Sequence, residues 1–172
     1  MDIRLKSISR ESIPEAISKV ETYRYLNEPE EAESICRDIL AVDPENQTAS
    51  RLLGLSITDQ FHGGLADRWR EAETIFESLT DPYERSYYGG LLRERWAKAQ
   101  LHAGRPPHTL LPLFEQAMRC FHEAEKIRPE GNDDAILRWN TCARTIMRHE
   151  QLRPRPDELA VDTGFDDEVP LL

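Results

Sequence analysis

The chain has little of several things, and each shortage removes a class of protein. Its longest apolar run is four residues, 39–42, far short of the roughly 20 that a helix needs to cross a bilayer. The opening MDIRLKSISR carries charge but no apolar stretch behind it, so a secretory signal is not expected and a cytoplasmic location is. Cysteine is scarce: Cys36, Cys120 and Cys142 are odd in number and widely spaced, and none forms a CxxC pair. That excludes a disulfide framework and leaves three small hydrophobes expected inside a core. Basic charge is also short, 22 Lys and Arg against 32 Asp and Glu for a net −10. A general phosphate-binding surface, and with it nucleic acid, is set aside. No GxxxxGKS phosphate loop, GxSxG elbow or HExxH helix occurs.

At 172 residues, 39% hydrophobic and 31% charged, the chain fits one globular domain. Helix starts are frequent. Ser12 with Pro14 and Glu15 reads as a capping box, and Asn27 with Pro29 and Glu30 repeats it. Asp43 before Pro44, Asp81 before Pro82, and Asn132 before Asp133 and Asp134 add three more. Between these starts apolar residues recur at helical spacing, as in Trp69, Ala72, Phe76 and Leu79, or Leu110, Phe114, Ala117, Phe121 and Ala124. The pattern predicts helices near 13–26, 29–42, 45–60, 66–79, 82–103, 107–128 and 132–149. Short connectors make successive helices antiparallel neighbours. The fold class is all-α with about seven helices, in a domain over 1–150. Residues 151–172 carry Pro154, Pro156, Gly164 and Pro170 and six acidic residues against two Arg, and read as an acidic tail.

Two segments align internally. Ala32, Cys36, Ile39 and Pro44 keep the same intervals as Ala117, Phe121, Ala124 and Pro129. Ala72, Phe76 and Leu79 form a third copy, with Pro82 two residues early. Leu53, Gly54 and Ile57, and Tyr88, Gly89 and Leu92, supply a large residue beside Gly and an apolar one three on. In these residues the sequence resembles the tetratricopeptide repeat (TPR) family, over about three irregular repeats plus a terminal helix. The resemblance implies antiparallel helix pairs stacked as a short right-handed solenoid, with Gly54 and Gly89 as notches for Ala72 and Ala117. A plain helical bundle is the structural alternative, since Ala32 and Ala117 stand 85 residues apart where two repeats of about 34 would span about 68.

The same resemblance implies a non-catalytic adaptor or regulatory subunit that holds a peptide or protein partner in a concave groove. Its matching positions are Arg24, Tyr25, Arg51, Leu55, Tyr83, Tyr87, Arg93, Asn140 and Arg144. Arg offers a planar fork for carboxylates and Tyr a rigid contact area, which points to an acidic or C-terminal peptide. The competing reading pairs these Arg with local Glu such as Glu21 and Glu94. The family's Lys and Asn carboxylate clamp is not implied, because Glu21 and Leu52 stand at those positions. Trp139, Cys142 and Ile146 on the last helix are expected to be partly uncovered. They would be shielded by the tail, through Val161, Phe165, Val169 and Leu171, or by a second copy in a homodimer. No cofactor or metal is implied: His102 and His108 flank a corner, and His122 beside Cys120 lies at a spacing that faces away from itself. The carboxylates at Glu30, Glu31 and Glu33 fit a helix first turn. An enzyme or metal-binding protein remains the distant alternative.

Overall fold

The computed structural model describes residues 3–62 and 66–152 of the chain. Among them are seven α-helices and no strand: α1 (Ile13–Tyr25), α2 (Pro29–Val42), α3 (Gln47–Asp59), α4 (Ala66–Glu77), α5 (Pro82–His102), α6 (Leu111–Lys126) and α7 (Asp134–Arg148). Three-residue 3-10 turns precede α1 and follow α7, and Pro107–Leu110 winds as a longer 3-10 turn into α6. The expected tail contacts through Val161, Phe165, Val169 and Leu171, and the expected turn at Gly63 and Gly64, lie outside the described residues.

Helix starts follow the expected chemistry at one site, shift at three, and are bare at another. The Asp81 carboxylate accepts from the Tyr83 amide at 2.8 Å, satisfying a first-turn donor of α5. At α3 the cap is Asn46 rather than Asp43, its Oδ1 accepting from the Ala49 amide at 2.9 Å. Asp43 instead accepts from the Asn46 side chain. Asn27 is not a cap: it sits at φ 60°, in the left-handed region where α1 ends, and Glu28 precedes α2. Asn is among the few side chains that tolerate that conformation. The Ser12 hydroxyl donates to the Ser9 carbonyl and does not cap α1. Asp133 flanks α7, and Asn132 accepts from the Asp134 amide.

Each helix packs on the next along the chain, and α1 also touches α3, α3 touches α5, and α5 touches α7. Side-chain bonds show the directions. Gln60, after α3, reaches back to Glu33 and the Pro29 carbonyl at the start of α2, so α2 and α3 are antiparallel. Arg24 and Asp59 join the C-terminal ends of α1 and α3, and Arg51 and Glu84 join the N-terminal halves of α3 and α5. The Tyr83 hydroxyl at the start of α5 bonds to Asn132 just before α7, so the odd-numbered helices run side by side in one direction.

Close approach between helices depends on glycine. A Cβ on Gly54 would meet Phe76 Cζ at 2.7 Å, and one on Gly90 would meet Phe121 Cε1 at 2.7 Å and the Ala117 carbonyl at 3.1 Å. The second notch is thus Gly90, not the expected Gly89, whose Cβ would meet only the Arg93 guanidinium at 3.6 Å. A one-residue step turns a helical position by about 100°, which moves Gly89 off the α6 contact. Phe76, Phe114 and Phe121 are buried outright with Ala72, Ala117 and Ala124 beside them. Each ring contributes about 2–3 kcal/mol of burial.

Candidate functional site

Along the face made by the odd-numbered helices, charged side chains form a chain of contacts that starts at α1. Arg24 donates from Nε to Asp59 at 2.8 Å. Arg95 on α5 donates to the other oxygen of Asp59 and, at 2.6 Å, to the Thr58 hydroxyl, which donates in turn to the Leu55 carbonyl. Burial pulls the Arg95 guanidinium below its ordinary value, Asp59 opposes this, and the positive fields of Arg24 and Arg138 add to the depression. Three arginines from α1, α5 and α7 therefore feel one another across this face.

One helical turn before Lys98, Glu94 is fully buried. Its Oε1 receives Lys98 at 2.5 Å and lies 3.5 Å from the Arg138 guanidinium, while its Oε2 has no partner among the described residues. A carboxylate this deep is sustained by its two cations. Beyond it, the C-terminal halves of α5 and α7 enclose a cleft of about 430 Å³ lined by Lys98, His102, Arg144, Arg148 and His149, with the hydroxyl residues Thr141 and Thr145 and the apolar Leu101. No carboxylate among the described residues lines it. Lys98 is held by Glu94, whereas Arg144 and Arg148 are exposed and have no ion partner among the described residues.

The expected groove residues divide. Arg24, Arg51 and Arg144 lie on this face, but Arg51 is bound to Glu84 at 2.5 Å. Arg93 points elsewhere, toward α4, where it reaches Glu73 at 3.4 Å and lies 5.9 Å from the centre of the Trp69 ring. Leu55 and Tyr83 are buried. The Tyr83 hydroxyl donates to Asn132 at 3.1 Å and its ring stacks on Tyr87, and burial pushes it up to about 12. Tyr25 is 90% exposed and Asn140 half-buried. Arg24, Arg51 and Arg93 are paired, as the competing reading had it, but to Asp59, Glu84 and Glu73; Arg144 has no ion partner among the described residues, and of the two partners named, Glu94 serves Arg138 instead. Sequence reasoning missed Asp59, Arg95, Arg138 and Arg148. The signal available was a run of Arg at 138, 144 and 148 on a helix with acidic residues only at its start.

Cys142 is fully buried, correcting the expectation that it is partly uncovered. It faces the Glu94 and Lys98 side of α5, and burial pushes its thiol up to about 12. Cys36 is likewise buried and raised to about 12, so neither thiol is a nucleophile near neutral pH. Ile146 packs against the core, and Trp139 is 39% exposed. Leu137 and Met147 are exposed as well, but Trp139 lies about 200° round the helix from Leu137. The exposed apolar residues of α7 thus form no single stripe.

A second charged cluster ties α2 to α4. Glu33 accepts from Arg68, Arg37 and Gln60, while Arg37 and Arg68 also hold Glu71. Burial alone would raise the Glu33 carboxyl, but the bonds from Arg68, Arg37 and Gln60 hold it down to about 2. Among the described residues no three His, Cys, Asp or Glu side chains gather as a metal ion would require, and no helix is long and apolar enough to cross a membrane. Comparison with known protein families, characterised proteins and solved structures finds no match to this chain.

Proposed function

We propose that the chain is a TPR-like helical repeat domain, a right-handed solenoid of antiparallel pairs, acting as a non-catalytic adaptor or regulatory subunit. The face of α1, α3, α5 and α7 is its concave side, and the ligand is an acidic peptide segment of a protein partner. One observation carries this reading. In a protein of net charge −10, the cleft between α5 and α7 is lined by Lys98, Arg144, Arg148, two His, two Thr and Leu101, and by no carboxylate among the described residues. Unpaired Arg144 and Arg148 can make charge-assisted bonds to incoming carboxylates without breaking bonds inside the fold. Arg51 and Arg93 already have partners, so their loss would test stability more than binding.

The test is a titration of the full-length chain with a fluorescent acidic peptide of about twelve residues, followed by anisotropy. Expected are affinity that falls as salt rises, because exposed charges are screened, and a loss of at least tenfold in the Arg144→Glu, Arg148→Glu double variant. An acidic and a charge-neutral peptide binding alike would remove the basis of this reading.

A further inference from the structure

The chain carries its own acidic segment, and it leaves the described fold beside the cationic cleft. Leu152 is buried, in a 3-10 turn that packs on the turn at Pro107–Leu110. His149, three residues earlier, lines the cleft itself. Residues 153–172 hold Asp157, Glu158, Asp162, Asp166, Asp167 and Glu168 against Arg153 and Arg155. From Leu152 to Asp157 an extended chain spans up to ~18 Å. Along α7 the cleft runs from Thr141 to Arg148, about 10 Å at the helical rise. The His149 end of the cleft, only three residues from Leu152, is therefore within reach of the first acidic pair.

We infer that the acidic stretch 157–168 is the intramolecular occupant of the cleft between α5 and α7, set against Arg144 and Arg148, and that a partner must displace it. This rests on the proposed peptide-binding role of that cleft and names what fills it when no partner is present. The placement follows from charge and tethering together. Two guanidiniums without an ion partner among the described residues, in a cleft that no described carboxylate lines, belong to the same chain as an acidic segment that begins a few residues beyond it. Tethering gives that segment an effective concentration on the order of millimolar, so weak individual contacts suffice.

The experiment compares two full-length chains. One is unaltered. In the other the tail is neutralised by Asp157→Asn, Glu158→Gln, Asp162→Asn, Asp166→Asn, Asp167→Asn and Glu168→Gln. The probe is a fluorescein-labelled synthetic peptide of residues 156–168, added in trans and followed by anisotropy, with mass measured by sedimentation. The expected result is binding to the neutralised chain at least tenfold tighter than to the unaltered one, abolished when Arg144→Glu and Arg148→Glu are added to the neutralised chain. Equal affinity for the two chains overturns the intramolecular occupant while leaving the peptide-binding role of the cleft standing. Binding to neither chain overturns both. A dimer of the unaltered chain that dissociates on neutralisation places the tail on a second copy and likewise overturns the inference. Because the two arginines are exposed, thermal melting of the charge-reversed chain checks that a loss of binding is not a loss of fold.

Discussion

At the scale of single residues, two adjacent glycines separate packing from propensity. Gly89 and Gly90 both lie inside α5, where Gly costs up to about 1 kcal/mol relative to Ala. Gly90→Ala would drive a methyl into Phe121 and toward the Ala117 carbonyl, whereas Gly89→Ala meets only the movable end of Arg93. Thermal denaturation should show Gly90→Ala destabilised by about 1–3 kcal/mol and Gly89→Ala unchanged or stabilised by up to about 1 kcal/mol. Equal effects at the two positions would contradict the notch assigned to Gly90. Glu94 offers a second residue-scale test. Glu94→Leu removes the carboxylate that Lys98 and Arg138 share inside the fold, leaving two cations beside an apolar side chain. A loss of about 3 kcal/mol in urea unfolding is expected, partly recovered by adding Arg138→Met.

Between elements, ion pairs bind helices that are not consecutive in the chain. Glu33 on α2 meets Arg68 on α4, and Arg37 on α2 meets Glu71 on α4. The consequence for acid stability has a definite sign. The Glu33 carboxyl is held at about 2 in the fold against an ordinary value of 4.5. Its contribution is therefore fully present above about pH 4.5 and is lost as pH falls toward 2. Unfolding midpoints measured from pH 6 to pH 2 should fall more steeply in the native chain than in Glu33→Gln. Because Arg37 is half-exposed and Arg68 partly so, solvent screening limits the difference at pH 6 to about 1–2 kcal/mol. Parallel pH profiles for the two proteins would show that the cluster does not couple α2 to α4.

Over the whole molecule, charge is unevenly distributed. The chain is acidic in sum, yet the cleft between α5 and α7 is cationic. The region around the turn from α1 to α2 is acidic instead, with Glu28, Glu30, Glu31 and Asp59 about one cavity. The acidic cavity belongs to the first helices of the series and the cationic cleft to the last, which sets a direction for a charged segment that reaches both. A peptide with acidic residues at one end and basic residues at the other should bind more tightly than its reversed sequence in the same anisotropy titration. Indifference to sequence direction would show that the acidic cavity takes no part.

Much of the helical layout was legible in the sequence because it is written in local chemistry. Proline at the helix starts, Asp81 as a cap and apolar residues at helical spacing act within a few positions of one another, so seven segments fall near their expected limits. The identity of the buried small residues Ala32, Ala72 and Ala117 was legible for the same reason, since a periodic stripe marks the packed face. What the sequence left open depends on pairings between residues far apart. Whether Gly89 or Gly90 meets Phe121, whether an arginine faces a carboxylate on the next helix or open solvent, and whether Cys142 looks inward are set by the rotation of each helix against its neighbours. A turn of about 100° separates adjacent positions, too small a step for a periodic pattern to resolve. It is nonetheless large enough to move Arg93 onto Trp69 and to leave Arg144 and Arg148 without an ion partner in the described fold, and only the packed structure makes that choice.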